Sequence, residues 1–410
     1  MNKTKKNLWK YSLYTFFVSL SFSRAIFMLF LKDLGFTTAQ MGLLESILFV
    51  ATFVMEIPTG ILGDRIGRKW SMACGILFDL ASTLIFIYLH SFSWMILAFI
   101  LTGTSFAFLS GSDRALYYDS LKALGREGEY LKRKSRLNAL SIATFGIAMI
   151  VGGWLRRFGW SAVYWASISA ALINLDVVLS LKEVRLGMGH ELSDAERLVQ
   201  KGSMRKALDY FVKDRRSRLL VLFMVGIGLY GAFDTPFAIY NQILLDFHGL
   251  STAGVALVTG ISTFLAAAFT WMAGPLLEKK DPHRVLMLIM TLSFVLLLFE
   301  LTGIPWVAVA IFLVMGSFSE GIYLISDNIS QEGIPSAIRA SLLSAFSFFE
   351  NFFVALVYFF WGILLESVDP SMGIASLGIF LVAGLVIVWR HSILSSRKLV
   401  GESRPDEQGI

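Results

Sequence analysis

Gly60-Ile-Leu-Gly-Asp64-Arg65-Ile-Gly67-Arg68-Lys69 packs glycine and both signs of charge into ten residues. It lies at the junction of two apolar runs, 39–62 and 70–90. Runs of about 20 apolar residues are read as membrane spans. The stretch is therefore a tight polar hairpin between two spans. Gly67 is the residue that lets the backbone turn sharply and the two helices approach.

Composition agrees with lipid as the solvent. Of 410 residues, 56% are hydrophobic and 16% charged, with mean hydropathy +0.67; soluble domains carry roughly a quarter charged residues. The net charge of +6 does not point to nucleic acid, because the basic residues sit in short connections between apolar runs and not on one soluble face. Cys74 is the sole cysteine, which excludes an internal disulfide and a cysteine metal site. The lysine-rich start is expected to belong to a retained first span, since the following apolar run has no small-residue cleavage site.

Twelve runs qualify as spans: 11–31, 39–62, 70–90, 93–118, 137–155, 160–181, 219–241, 252–277, 284–303, 305–330, 340–364 and 372–390. With the N-terminus in the cytoplasm, 31 of the 36 Lys and Arg fall in cytoplasmic segments, as the positive-inside rule requires. Both termini are thus expected inside. The expected organisation is a six-helix bundle over 1–181, a cytoplasmic linker over 182–218, a second six-helix bundle over 219–395 and a polar, disordered tail over 396–410. In the linker, Ser193 and Glu196 have capping-box spacing. Met204, Ala207, Leu208, Phe211 and Val212 follow at helical spacing, which suggests a basic amphipathic helix on the membrane surface; a flexible charged linker is the alternative.

The two bundles repeat. A shift of 214 residues lays Thr38-Ala39 on Thr252-Ala253, Gly60 on Gly274, Asp64-Arg65 on Glu278-Lys279 and Ser112-Asp113 on Ser326-Asp327. Two six-span halves of equal topology are related by an axis along the membrane normal, and such halves can rock about a shared central site.

Residues 60–69 match the Gly-x-Leu-Ala-Asp-Arg-x-Gly-Arg-Lys turn of the major facilitator superfamily, with Gly63 in place of alanine. Glu56-Ile-Pro-Thr-Gly60 resembles a run in bacterial drug-efflux-like members. The resemblance implies an all-α integral membrane fold of 12 transmembrane helices in two pseudo-symmetric bundles. It implies that Gly60, Asp64, Arg65, Gly67, Arg68 and Lys69 form a conformational motif, completed by Asp119 at the end of span 4. In that family the motif holds the outward-facing state closed on the cytoplasmic side. Two antiporter signatures are incomplete: Phe99 stands where an Arg is usual, and Ala148-Met149 replaces Gly-Pro ahead of Gly152-Gly153.

An ionisable group at the bilayer centre costs at least about 2.5–3.5 kcal/mol, so each one needs a reason. In this family spans 1, 4, 7 and 10 line the central cavity. Those spans carry Arg24, Asp113, Arg114, Asp234, Glu320 and Asp327. Tyr323 lies with Leu324 between Glu320 and Asp327 on one helix face, a stripe suited to a cation or a proton. Glu56 and Glu350 lie in the flanking spans 2 and 11. The bland reading is that Asp113 and Asp327 form structural ion pairs with Arg24 or Arg114. Asp79, Asp176 and Glu300 fall in spans 3, 6 and 9 and are read as structural.

No catalytic constellation, metal cluster or phosphate-binding loop is present in the sequence, so no enzyme activity and no cofactor are expected. The expectation is a monomeric carrier in the plasma membrane, with a small-molecule substrate, the bilayer as its other partner and a proton or other ion gradient as its drive. Proton-coupled efflux of amphipathic or cationic compounds comes first. Transport of a specific metabolite, anion or lipid is the second reading, and a non-transporting receptor the third.

Overall fold

A computed structural model describes residues 3–183, 215–277, 280–333 and 336–402. The described residues are helices joined by short turns, with no strand among them. Span 1 comprises helices Lys3–Val18 and Phe27–Asp33 with a 3-10 turn, Arg24–Ile26, between them. Span 2 is Thr38–Ile66, span 3 Arg68–Tyr88, and span 4 the pair Phe92–Leu109 and Ser112–Lys122. Spans 5 and 6 are Tyr130–Leu155 and Trp160–Ser180. Spans 7 to 11 are Arg215–Phe247, Thr252–Leu277, Pro282–Leu298, Pro305–Gly333 and Ser336–Leu364. Span 12 is Pro370–Ser376 followed by Gly378–Glu402. Ten of these helices are long and apolar enough to cross a membrane, with Phe349–Leu364 a shorter apolar segment; the broken span 1 completes twelve.

The apolar runs expected as single spans at 11–31 and 93–118 are each interrupted. In span 1 the cause is the Ser19-Leu20-Ser21-Phe22-Ser23 run. Ser19 Oγ donates to the Thr15 carbonyl at 2.7 Å, competing with the backbone ladder. The freed Phe22 carbonyl lies against Gly152 of span 5, where an added Cβ would overlap it. In span 4 the break falls at Gly111, whose φ of 76° is costly for any residue with a Cβ. The last helix runs on to Glu402, through the first residues of the expected disordered tail. The expected amphipathic helix and the second-copy turn at Glu278-Lys279 lie outside the described residues.

The halves meet along two pairs of spans, 2 with 11 and 5 with 8. Both seams rely on glycine. An added Cβ on Gly42 would overlap the Tyr358 carbonyl and lie 2.9 Å from Gly362 Cα. One on Gly153 would overlap Ala256. Two further contacts join span 1 to span 7. Gln242 Oε1 accepts from Met28 N at 3.1 Å, and Lys32 Nζ meets Asp246 Oδ2 at 2.5 Å; both pairs are 214 residues apart. That is the repeat offset. Only residues beside a two-fold axis touch their own counterparts, so the axis passes between spans 1 and 7. All these contacts lie in the part of the bundle away from the termini. Towards the termini, Val54, Ile57 and Ile61 of span 2 are exposed. The halves are thus closed on the distal face.

Candidate functional site

The turn at 60–69 is built as its glycines require. Gly67 has φ 103° and ends span 2, and span 3 starts at Arg68. The first free amides of span 3 are capped by a residue outside the motif: Glu183 Oε1 accepts from Arg68 N at 2.8 Å and Oε2 from Lys69 N at 2.9 Å. A carboxylate there meets both the orphan donors and the positive end of the helix dipole. An added Cβ at Gly67 would sit 3.0 Å from the Glu183 carboxyl carbon, so the glycine also makes room for the cap. Arg68 pairs with Asp64 at 3.2 Å, and Lys69 Nζ donates to the Leu179 carbonyl at 2.5 Å. Asp119 is half-buried and within electrostatic reach of Arg68 and Glu183. Gly60 and Arg65 are exposed.

In the N-terminal half, Arg24 lies on the span 1 break. Its Nη1 is 3.8 Å from Glu45 Oε1 of span 2, and Glu45 is fully buried. The expected pairing of Arg24 with Asp113 or Asp327 is not the one formed, because the break turns Arg24 towards span 2 of its own half. Glu45 did not stand out in the sequence, since it falls early in span 2 beside Ser46. The broken backbone is completed from the other half: Gln242 Nε2 donates to the Arg24 carbonyl at 3.0 Å.

The C-terminal half carries a different constellation. Asp234 of span 7 accepts from Tyr230 OH at 3.1 Å and from Ser319 Oγ of span 10 at 2.6 Å. Tyr323 donates to Glu350 Oε1 of span 11 at 3.4 Å, and the rings of Tyr230 and Tyr323 meet edge to face at 5.8 Å. The Glu350 carboxylate lies on Gly231, where any Cβ would overlap it. Among the described residues no ion pair reaches Asp234 or Glu350. Between the two constellations stands Tyr358, stacked on Phe49 of the other half at 5.5 Å and within electrostatic reach of Glu45, Arg24 and Asp234. Its hydroxyl donates to the Thr235 carbonyl at 3.1 Å.

The other candidates are dispersed. Asp113 opens the second segment of span 4 and accepts from Arg114 N at 2.6 Å, with the Tyr11 and Tyr14 phenols facing it; the Arg114 side chain is exposed. Glu56 is exposed on span 2. The expected stripe on span 10 divides: Tyr323 turns to Glu350, while Glu320, Leu324 and Asp327 are exposed. Glu300, read as structural, is buried at 1% exposure with neither oxygen hydrogen-bonded among the described residues. Between spans 4 and 5, Arg126 and then Arg133 hold the Glu129 carboxyl down to about 2 through direct hydrogen bonds. No group of three or more His, Cys, Asp or Glu is arranged to hold a metal among the described residues.

Comparison with known proteins gives the family. The model of the Major Facilitator Superfamily matches residues 11–352. An uncharacterized MFS-type transporter of Methanocaldococcus jannaschii is 24% identical over 306 residues, 72% of this chain and 74% of that protein. The inner membrane transport protein YajR of Escherichia coli is 30% identical over 175 residues, 42% of this chain and 37% of that protein. Among solved structures, the nucleoside transporter NupG superposes with a TM-score of 0.73 at 16% identity, covering 96% of this chain and 99% of that one. With its twelve spans, internal repeat and matching turn, the chain belongs to the Major Facilitator Superfamily and is a multi-pass membrane transporter, not an enzyme.

Proposed function

We propose that the chain is a proton-coupled exporter of amphipathic, cationic small molecules, working by alternating access in the plasma membrane with both termini in the cytoplasm. One observation carries this reading: Asp234 and Glu350, on two spans of one half, share a tyrosine-lined site and meet hydroxyls with no basic partner among the described residues. A charge within a span is expensive without a counter-ion. The pair is therefore neutralised by a counter-ion, the proton in this reading, and its uptake and release drive the outward movement of the organic cation. Positive-inside sorting supports the orientation, which makes the distal face external and the present arrangement open to the cytoplasm. The 60–69 turn is then unlatched, with Asp64 paired to Arg68 of the same turn. In the opposite arrangement it closes the cytoplasmic side.

The test uses proteoliposomes with an internal pH dye and a panel of lipophilic cations. Each transported cation is expected to drive counter-flow of protons. Asp234→Asn and Glu350→Gln are each expected to lower that flow at least tenfold. Proton flow that survives both substitutions removes the reading.

A further inference from the structure

A cavity of about 380 Å³ lies inside the N-terminal half, and every residue lining it belongs to spans 1 to 6. It extends from the break in span 1 towards spans 3 and 6 and does not reach the C-terminal acidic pair. Its size falls in the range of small-molecule sites.

Three side chains in its lining carry buried polar atoms with no partner among the described residues. Both carboxylate oxygens of Glu45, Oδ1 of Asn174 and the hydroxyl of Tyr164 lack hydrogen-bond partners among the described residues. These side chains are only 0%, 2% and 2% exposed. An unpaired buried polar group costs about 1–3 kcal/mol, so three around one cavity call for an occupant. The vacant atoms are mostly acceptors. Asp79 adds a second carboxylate to the lining, and Arg24 is the only lysine or arginine among the lining residues. Arg24 stands 3.8 Å from Glu45, too far to fill the carboxylate's hydrogen bonds. The apolar part of the wall mixes aliphatic side chains with phenylalanines, among them Phe27, Phe86, Phe99 and Phe106. Ring faces attract cations.

We infer that this chamber binds a small organic cation, its ammonium donating to Glu45 and its apolar body lying against the phenylalanines. The inference rests on the exporter reading and divides it: the N-terminal half holds the organic cation, and the C-terminal acidic pair takes the counter-ion. Glu45 thereby acquires a role in recognition that its span alone does not suggest.

The experiment is calorimetric titration of the full-length protein in lipid nanodiscs at one pH with phenethylammonium, 2-phenylethanol and phenylacetate. Saturable binding is expected for the ammonium at least tenfold tighter than for the other two. Ser167→Phe, which puts a ring into the chamber from span 6, and Glu45→Gln are each expected to weaken it at least tenfold. Asp234→Asn/Glu350→Gln is expected to leave it within about twofold. Binding unchanged by Ser167→Phe and Glu45→Gln overturns the inference, as does preference for phenylacetate. Loss of binding in the C-terminal double variant alone also overturns it and leaves the exchange reading standing. Binding as expected without proton counter-flow in vesicles upholds the chamber and removes the exchange reading.

Discussion

In the N-terminal half, Arg24 faces the buried Glu45 at 3.8 Å, an acid with a base of its own bundle. In the C-terminal half, Asp234 and Glu350 meet Tyr230, Ser319 and Tyr323, hydroxyls that orient a carboxylate without cancelling its charge. The same repeat unit therefore solves the cost of a membrane-buried acid in two ways. A resident base 3.8 Å away offsets the charge of Glu45 and leaves its hydrogen-bonding sites open. A hydroxyl cage leaves the acid to be neutralised by whatever ion arrives. Duplication supplied two equivalent scaffolds, and their substituted side chains separate a half whose buried acid has a base nearby from a half whose buried acids have hydroxyls alone.

Removing the resident base is the largest test of that contrast. Arg24→Leu leaves Glu45 uncompensated at 0% exposure. Stripping one partner from a fully buried pair costs about 3–5 kcal/mol. Arg24 is 36% exposed, which lowers the expectation to roughly 2 kcal/mol, read as a fall in the thermal midpoint in nanodiscs. Arg24→Leu/Glu45→Leu is expected to recover most of it. A single variant as stable as the wild type shows that the 3.8 Å contact is not what makes the buried acid tolerable. The matching change in the other half is milder. Tyr230→Phe deletes one of two donors to Asp234 and leaves Ser319, so a loss of about 1 kcal/mol is expected. A larger loss there than from Arg24→Leu inverts the comparison.

The spans were legible because lipid demands about 20 apolar residues per crossing, and the hairpin at 60–69 was legible because charge inside such a run is rare. Contacts set by the tertiary fold were not. The break after Val18 depends on Gly152 giving space to the Phe22 carbonyl, 130 residues away in sequence. Glu45 looked like an ordinary polar residue near a span end, and Glu183 like linker. Gln242 and Asp246 did carry a signal. Each lies one repeat offset from its partner, and Lys32 with Asp246 is a base facing an acid at that offset. Reading the repeat for complementarity as well as identity would have located the axis.

Glu183 gives the next step down in size. It caps two amides of span 3 with one carboxylate. Loss of a helix cap typically costs about 1 kcal/mol. Glu183→Ala is expected to lower stability by that amount and to raise amide exchange at Arg68 and Lys69 before the rest of span 3. Glu183→Gln, which keeps an acceptor, is expected to recover part of the loss. Uniform exchange along span 3 in both variants shows that the turn is held by Gly67 and Asp64 alone.

The smallest effect belongs to the axis itself. Lys32 and Asp246 join the halves at 2.5 Å, but their side chains are 52% and 27% exposed. Exposed pairs contribute about 0.2–1 kcal/mol and weaken with salt. Lys32→Met removes the attraction between the halves on the distal face without touching either acid constellation. It is expected to shift the balance between the closed and open distal face by less than about fivefold, seen in double electron–electron resonance distances between labels on the 35–37 and 249–251 turns. The shift is expected to shrink at high salt in the wild type and not in the variant. Lys32→Asp with Asp246→Lys restores the pair in reversed order, and because the two positions are counterparts across the axis, the swapped protein is expected to match the original. A swapped pair that behaves like Lys32→Met instead shows that the surroundings of the two sites differ, so that the asymmetry between the halves extends to the residues that touch across the axis.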